Sequence, residues 1–596
     1  MKLSNSLRIK LSQILLLSAV VAFALIVPRE AKAGDEHVPV VTDWSHRHAV
    51  YSEPNSLMKR FALSADHRYL QQSLRRNAER HHGQDRWRWH HAPENPNRIQ
   101  GDWSMNMGAG ATVGAGNYPA KYTFDAAAAN CATDFVVYNT SLGGSGTQAT
   151  IVAFNNIYVG TCTAPNPSTY WAYNTGAGAI LTSPILSFDG TRVAFIQNTG
   201  GVANLEVLRW KSGDGSLLGP LSPAAGPCTA GSSCLVTVPF STANSCTATT
   251  DSFSSPFYDY GQDLLYVGDD KGCLHKFTGV FFGTPTEVVA SGASIWPAQV
   301  NGGFGHLNSP VFATGHGQVF VTDNLGVLYS VDTTAGGVPV SGYNFTAKLA
   351  DIGFDDGPLV DVTTGFVYVF ARQSVSTLVT PHVPNVPSVF QIPIPATPSA
   401  MHNTLGTQVV ISDVGTVPAA AMYVGAFDDP YYSSANGTGE LYACGTAGTV
   451  NSLWVITLTA SAITDTKPGP VLTTANAGCS PITEFNNTIA NNDRIFLSVT
   501  GSAITGGATL INCPAASGCV MSFDVDSVLN NTGSATSATA TETGGTSGIV
   551  VDNTAATGGA SQVYFTPLSN QACVGAGGLG TGTGGCAIQA SQAGLN

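Results

Sequence analysis

Short apolar runs rich in β-branched and aromatic residues recur along this chain behind a proline. Ser183-Pro184, Ser255-Pro256, Ser309-Pro310 and Gly357-Pro358 each open such a run. Ten residues after each Ser or Gly begins an apolar strand pattern: Val193-Ala194-Phe195, Leu265-Tyr266-Val267, Val319-Phe320-Val321 and Val367-Tyr368-Val369. Two copies continue in register, with Gly272–Phe277 matching Gly326–Val331 at an offset of 54 residues. A looser copy starts at Ser480-Pro481 and reaches Arg494-Ile495-Phe496-Leu497. Short β-branched and aromatic runs bounded by Gly, Asn and Asp predict strands and tight turns, and their repetition predicts an array.

Grouping the predicted strands yields seven or eight units. The first takes Phe135–Tyr138, Ile151–Gly160 and Tyr170–Tyr173, and the second Ile185–Phe188, Arg192–Gln197 and Leu205–Trp210. The in-register copies at 254–277 and 308–332 are the third and fourth. Leu359–Val362, Phe366–Ala371 and Val389–Ile392 form the fifth, and a sixth runs from Val409–Ile411 and Ala421–Gly425 to Glu440–Ala443 and Leu453–Thr457. The Ser480-Pro481 copy through Val520–Val525 is the seventh, and Ile549–Val551, Val563–Thr566 and Cys586–Ile588 the eighth. Tight corners fall at Asp189-Gly190, Lys271-Gly272 and Leu325-Gly326, where a hairpin needs positive φ. Ser/Thr/Gly/Ala-rich runs at 530–548 and 574–585 read as loops.

Units of three to four antiparallel strands close economically into a ring, which leaves few exposed strand edges. The predicted fold is therefore all-β: a seven- or eight-bladed β-propeller over residues 102–596, with a short, partly helical N-terminal extension over 34–101. A pair of β-sandwiches would give no reason for the proline-headed template to recur. Composition agrees, since only 11% of the 596 residues are charged, too few for a helical bundle.

Charge separates the extension from the body. Residues 34–101 hold ten Lys/Arg, eight Asp/Glu and eight of the thirteen histidines. Residues 102–596 hold ten Lys/Arg against 29 Asp/Glu, so the body has no basic surface for nucleic acid. Within the extension, Pro54–Arg80 predicts a helix capped by Ser64, with Asp66 in its first turn and Tyr69, Leu70 and Leu74 near one face. The extension is expected to pack on the body through its Trp and Tyr side chains or to stay partly mobile.

Residues 1–33 read as a signal peptide. Lys2, Arg8 and Lys10 precede the apolar Ile14–Val27, and Ala31-Lys32-Ala33 supplies a small-x-small cleavage site. No later segment is long and apolar enough to span a membrane, so a secreted, periplasmic or extracellular protein is expected. Twelve cysteines suit an oxidising compartment. Their spacing suggests local pairs: Cys131/Cys162, Cys228/Cys234, Cys246/Cys273, Cys444/Cys479, Cys513/Cys519 and Cys573/Cys586. No CxxC pair is present, which removes the usual spacing of structural zinc.

Leu265–Phe277 and Val319–Asp332, the latter followed by Thr333-Thr334-Ala335-Gly336, resemble the repeat of pyrroloquinoline-quinone-type propellers. That superfamily includes quinoprotein dehydrogenases and a non-enzymatic outer-membrane assembly propeller. Leu186–Phe195 instead resembles the TolB-type propeller strand, and the whole chain resembles secreted bacterial propeller proteins of unassigned function. These resemblances imply architecture and transfer no catalytic residue.

A quinoprotein would seat its cofactor on the propeller axis with a carboxylate–calcium pair, often beside a vicinal disulfide, and no Cys-Cys occurs here. Pyrroloquinoline quinone is thus not expected, and no cofactor is predicted. Calcium is the candidate ion at the acidic pairs Asp269-Asp270, Asp355-Asp356 and Asp428-Asp429, while the doublets His81-His82 and His90-His91 read as a basic patch rather than a transition-metal site. Each pair also sits at a strand end, where Asp is a good turn residue. Arg86-Trp87-Arg88-Trp89 offer a surface for a glycan or protein partner, flanked by His81-His82 and His90-His91. No CxxCH, Walker loop or GxSxG motif is present, and His275, His306, His316, His382 and His402 read as turn residues. The expectation is a non-enzymatic binding or scaffolding module for protein or glycan. The alternative is a divergent quinoprotein or a polysaccharide-active enzyme.

Overall fold

The computed structural model describes residues 38–85, 99–333, 353–374, 383–395, 406–412, 420–487, 492–503, 518–526, 537–552 and 562–592, less positions 127, 230, 249–250 and 290–295. The signal segment, Arg86, Trp87, Arg88, Trp89, His90, His91, His382 and His402 lie outside these residues.

Eight principal sheets follow one another along the chain and form the eight blades of a β-propeller. Blade 1 runs Ala120–Thr123, Phe135–Asn139, Ile151–Asn155 and Ser168–Tyr173. Blade 2 runs Ile185–Leu186, Arg192–Thr199, Val202–Arg209 and Cys234–Pro239, with Ala224–Ala225 added outside. Blades 3 and 4 begin with Phe257–Asp259 and Val311–Ala313, and blades 5, 6 and 7 with Leu359–Asp361, Ala426–Phe427 and Thr483–Asn487. In blade 8, Val550–Asp552, Gln562–Phe565 and the C-terminal Cys586–Gln592 are completed by Ile99–Asn106 from the beginning of the chain. First strands of successive blades touch one another, so they line the axis.

The proline-headed template marks these axial strands, and its serines fasten blade to blade. Tyr118 N–H donates to Ser183 Oγ (2.9 Å), Ser183 N–H to Ser255 Oγ (2.9 Å), and Ser255 N–H to Ser309 Oγ (2.7 Å). Each hydroxyl accepts an amide from the preceding blade at a buried depth where an orphan N–H would be costly. Proline at the next position has no N–H to leave unpaired. Further out, apolar faces interlock: Phe195 and Leu208 of blade 2 meet Trp171 and Tyr173 of blade 1, while Ile196, Leu205 and Val207 meet Tyr258 and Leu265 of blade 3. Each such side chain contributes roughly 1.5–3 kcal/mol on burial.

The two in-register copies fold alike. Asp269 Oδ1 accepts Lys271 and Cys273 N–H, as Asp323 Oδ1 accepts Leu325 and Val327 N–H. Each turn needs its glycine, with φ +80° at Gly272 and +84° at Gly326. Disulfides join Cys131–Cys162, Cys228–Cys234, Cys246–Cys273, Cys444–Cys479 and Cys573–Cys586, as their spacing suggested. Cys519 is also disulfide-bonded, whereas Cys513 lies outside the described residues.

Several sequence expectations are corrected. Residues of the expected sixth unit divide between blades: Thr407–Val410 is the outer strand of blade 5, and Ala421–Gly425 is irregular ahead of Ala426–Phe427. The low-complexity runs contain strands: Ser537–Thr541 is the edge strand of blade 7, and Gly582–Gly584 pairs with Gln571–Cys573 in a separate two-stranded sheet. The N-terminal extension carries three helices, Ser45–His48, Leu57–Leu63 and His67–Asp85. Ser64 ends the second helix, Ser56 caps it, and Asp66 Oδ1 receives Arg68 N–H at the start of the third. That third helix buries Arg68, Tyr69, Gln71 and Arg76, while Leu70 and Leu74 are exposed. Of the expected face only Tyr69 is buried; the helix packs on a surface of carboxylates and aromatic rings rather than an apolar one.

Candidate functional site

Two extended pieces of the N-terminal segment complete axial strands. Val40–Thr42 pairs antiparallel with the first strand of blade 1, Val40 opposite Thr123 and Thr42 opposite Lys121. Ala49–Val50 pairs parallel with the first strand of blade 5, Ala49 opposite Val360. Between them the chain passes through Asp43, Trp44, Ser45 and His48, all with no exposed surface.

Trp44 stacks on the His48 ring at 4.0 Å between centroids. Where the template calls for serine, Gly357 stands beside them. A Cβ there would lie 2.4 Å from the Ser309 carbonyl oxygen and 3.1 Å from the Trp44 ring. Asp356, next to Gly357, ties blade 5 to the chain just ahead of blade 6, its carboxylate accepting Gly357 and Val424 N–H. His48 Nδ1 donates to the Pro358 carbonyl (3.1 Å), and burial pushes its pKa down to about 3. The imidazole is therefore neutral, 3.7 Å from an Asp356 carboxyl that burial pushes up to about 7.

Asp43 is ionised. Burial opposes its charge, but His46, Arg68 and the Ser45 hydroxyl together hold its pKa below the usual value. Its Oδ1 accepts Ser45 N–H, Ser45 Oγ–H (2.6 Å) and His46 Nδ1–H (2.9 Å). Ser45 and His46 thus share a carboxylate rather than a proton, each engaging the same Asp43 oxygen. Arg68 donates to Ser45 Oγ and lies 4.0 Å over the Phe257 ring of blade 3.

The acidic pairs meet this basic segment. Arg76 pairs with Asp429 and with Glu484 (2.8 Å) and covers the Tyr432 ring at 3.8 Å. Arg47 donates to the Glu484 carbonyl. Asp428 caps the helix Asp429–Ser433 by accepting Tyr431 N–H, also accepts Glu440 N–H, and is pushed by burial up to about 7. Asp355 is paired with Arg372 and accepts Met422 N–H. Asp269 and Asp270 stand apart on blade 3, Asp269 holding its hairpin turn. Hydrogen-bond donors thus already occupy oxygens of Asp269, Asp355, Asp356 and Asp428 that an ion would need. Among the described residues no group of three or more His, Cys, Asp or Glu is placed to hold a metal.

Sequence reasoning missed one cluster. His275 lies fully buried within the strand Cys273–Thr278 rather than in a turn. Its Nδ1 meets Glu287 Oε1 at 2.7 Å and its Nε2 meets Asp269 Oδ2 at 3.3 Å. Burial works against the charge, but both carboxylates outweigh it and raise the pKa. At the matching position of blade 4, Tyr329 donates to Asp323 Oδ2 (2.8 Å). The 54-residue offset aligns His275 with Tyr329 and was the signal available.

No family model and no curated protein matches this chain. Among solved structures it is similar to BamB from Moraxella catarrhalis, at 12% identity over 82% of this chain and 97% of that one, with a TM-score of 0.35. It is also similar to the WD40 domain of Toxoplasma gondii coronin, at 11% identity over 67% and 78%, TM-score 0.31. A third likeness is to the Cps50 (Swd1) β-propeller domain of Myceliophteria thermophila, at 12% identity over 62% and 91%, TM-score 0.32.

Proposed function

We propose that this chain is an exported, non-enzymatic propeller of the pyrroloquinoline-quinone-type repeat class. It acts as a binding or scaffolding module for a protein or glycan at the cell envelope or outside the cell. The observation that carries this reading is the axis itself. Where a propeller enzyme would seat a cofactor or substrate, this chain packs its own Trp44, Ser45 and His48. Their polar partners are the chain's own Asp43, Asp356 and Arg68. Recognition then falls to the outer faces and rims of the blades, and to the Arg86–Trp89 stretch. Five local disulfides suit an oxidising compartment, and no described helix is long and apolar enough to cross a membrane.

The test combines location with activity. Fractionation of the producing cells should find the mature chain, lacking residues 1–33, outside the cytoplasm. The purified protein, supplied with calcium and pyrroloquinoline quinone, should neither reduce an artificial electron acceptor nor shorten polysaccharide chains. Dye reduction or chain cleavage would overturn the binding-module reading.

A further inference from the structure

Blade 2 carries three of the ten basic residues of the acidic body, Arg192, Arg209 and Lys211. Arg192 and Arg209 are direct cross-strand partners in the antiparallel pair Arg192–Thr199/Val202–Arg209. Opposed residues put their Cβ atoms about 5 Å apart on one face of the sheet, and like charges so placed destabilise it unless an anion lies between them. Both side chains are half-buried, and among the described residues no carboxylate meets either guanidinium. Other basic residues among those described have company, as in the pairs Lys121–Asp552, Arg372–Asp355 and Lys467–Asp465.

The two arginines line a cavity of about 570 Å³ between blades 2 and 3. Val207 and Val236 form its wall on blade 2, Val280 and Pro285 its wall on blade 3, and Pro227 its outer lip. Both walls are fixed. Asp263 accepts Phe281 N–H and Phe282 N–H, which holds the turn carrying Val280 and Pro285. The Cys228–Cys234 disulfide closes a six-residue span at the opposite lip. Beside it the strand Ala224–Ala225 is exposed and ends the sheet, presenting backbone groups.

We infer that this groove binds an extended peptide segment in which an apolar residue precedes an acidic one. The apolar side chain occupies the Val207–Val236–Val280 wall, and the carboxylate lies between the two guanidinium groups. Paired guanidinium forks suit a planar carboxylate, and a largely pre-formed apolar cavity with a few convergent polar groups is the usual form of a ligand site. A peptide fits better than an acidic sugar because, among the described residues, no Trp, Tyr or Phe lines the groove to stack on a pyranose ring. The inference rests on the binding-module reading and adds a partner class to it. The experiment below measures binding alone, so its outcome is independent of any enzymatic assay.

The full-length mature protein is titrated calorimetrically with acetyl-Ala-Val-Asp-amide, with the isosteric acetyl-Ala-Val-Asn-amide, and with trigalacturonate. The Asp peptide should bind at least tenfold more tightly than the Asn peptide, and more weakly as salt is raised. Arg192→Ala and Arg209→Ala should each cost at least tenfold in Kd. Arg209→Lys, which keeps charge but loses the fork, should fall between. Equal affinity for the two peptides, wild-type affinity in both alanine variants, or binding of trigalacturonate alone would overturn the proposal. Melting temperature supplies a second readout. If the pair awaits an external anion, Arg192→Ala leaves Tm unchanged or raises it, because an opposed charge is removed. A Tm lowered by several degrees in both alanine variants would assign the arginines a structural role instead.

Discussion

A proton sits at the centre of blade 3. His275 is held between Asp269 and Glu287 with both ring nitrogens engaged, so it must be doubly protonated to satisfy them. Its pKa is raised in the folded state, so the fold binds this proton more tightly than the unfolded chain does. The stabilisation is therefore complete below the unfolded value of about 6.5 and is lost as pH rises through the folded value. Denaturant titrations from pH 5 to 9 should show stability declining on the alkaline side, and His275→Gln should flatten that slope. The variant should also lose about 3–5 kcal/mol at pH 6, the usual cost of leaving buried carboxylates without their cation. Gly357 offers an independent test. Restoring the template with Gly357→Ser places a Cβ against the Ser309 carbonyl and the Trp44 ring. Equilibrium unfolding should register a loss of about 1–3 kcal/mol.

At the scale of elements, the third helix of the extension is held more by ions than by oil. Arg76 alone engages Asp429, Glu484 and the face of Tyr432. Arg76→Ala should cost about 3–5 kcal/mol because Glu484, 3% exposed, loses its buried ion-pair partner. Trypsin should then cut within the extension well before the blades. Across blades 6 and 7, Cys444–Cys479 closes a loop of 35 residues. Replacing both cysteines with serine should lower stability by about 2–4 kcal/mol in chemical denaturation. These elements also show how far sequence reading reaches. Strand identity was legible where apolar residues crowd, as in Val319–Val321 and Val367–Val369. It was not legible for Ala224–Ala225 or Ser537–Thr541, edge strands whose small residues carry no hydrophobic signature in the sequence. The helix Pro54–Arg80 was expected to offer Leu70 and Leu74, and it buries Arg68 and Arg76 instead, because its receiving surface is carboxylate and aromatic. The charge imbalance between extension and body was visible throughout, but an imbalance does not reveal that its two halves answer each other within one chain. Cross-strand neighbours such as Arg192 and Arg209 were legible only as members of separate predicted strands, since register is a property of the folded sheet.

Over the whole molecule, two strands far apart in sequence close the ring. Ile99–Asn106 pairs along its length with Cys586–Gln592, and Trp103 Nε1 donates to Gln589, 486 residues away in sequence. At the usual 5–20 residues per second of synthesis, Gln589 follows Trp103 by about 25–100 s. For that interval blade 8 lacks its inner strands, and Ile99–Asn106 has an open backbone edge with nothing to pair. Folding of this chain is thereby tied to synthesis of Cys586–Gln592: a product truncated before that strand, however many blades it contains, is left with unpaired edges that invite aggregation. Ribosome-stalled chains lacking Cys586–Gln592 should associate through those edges, whereas supplying the missing strand as a peptide should return them to monomers. The ring holds no finished subset of itself without Cys586–Gln592, so quality control over this fold is exerted by those seven residues.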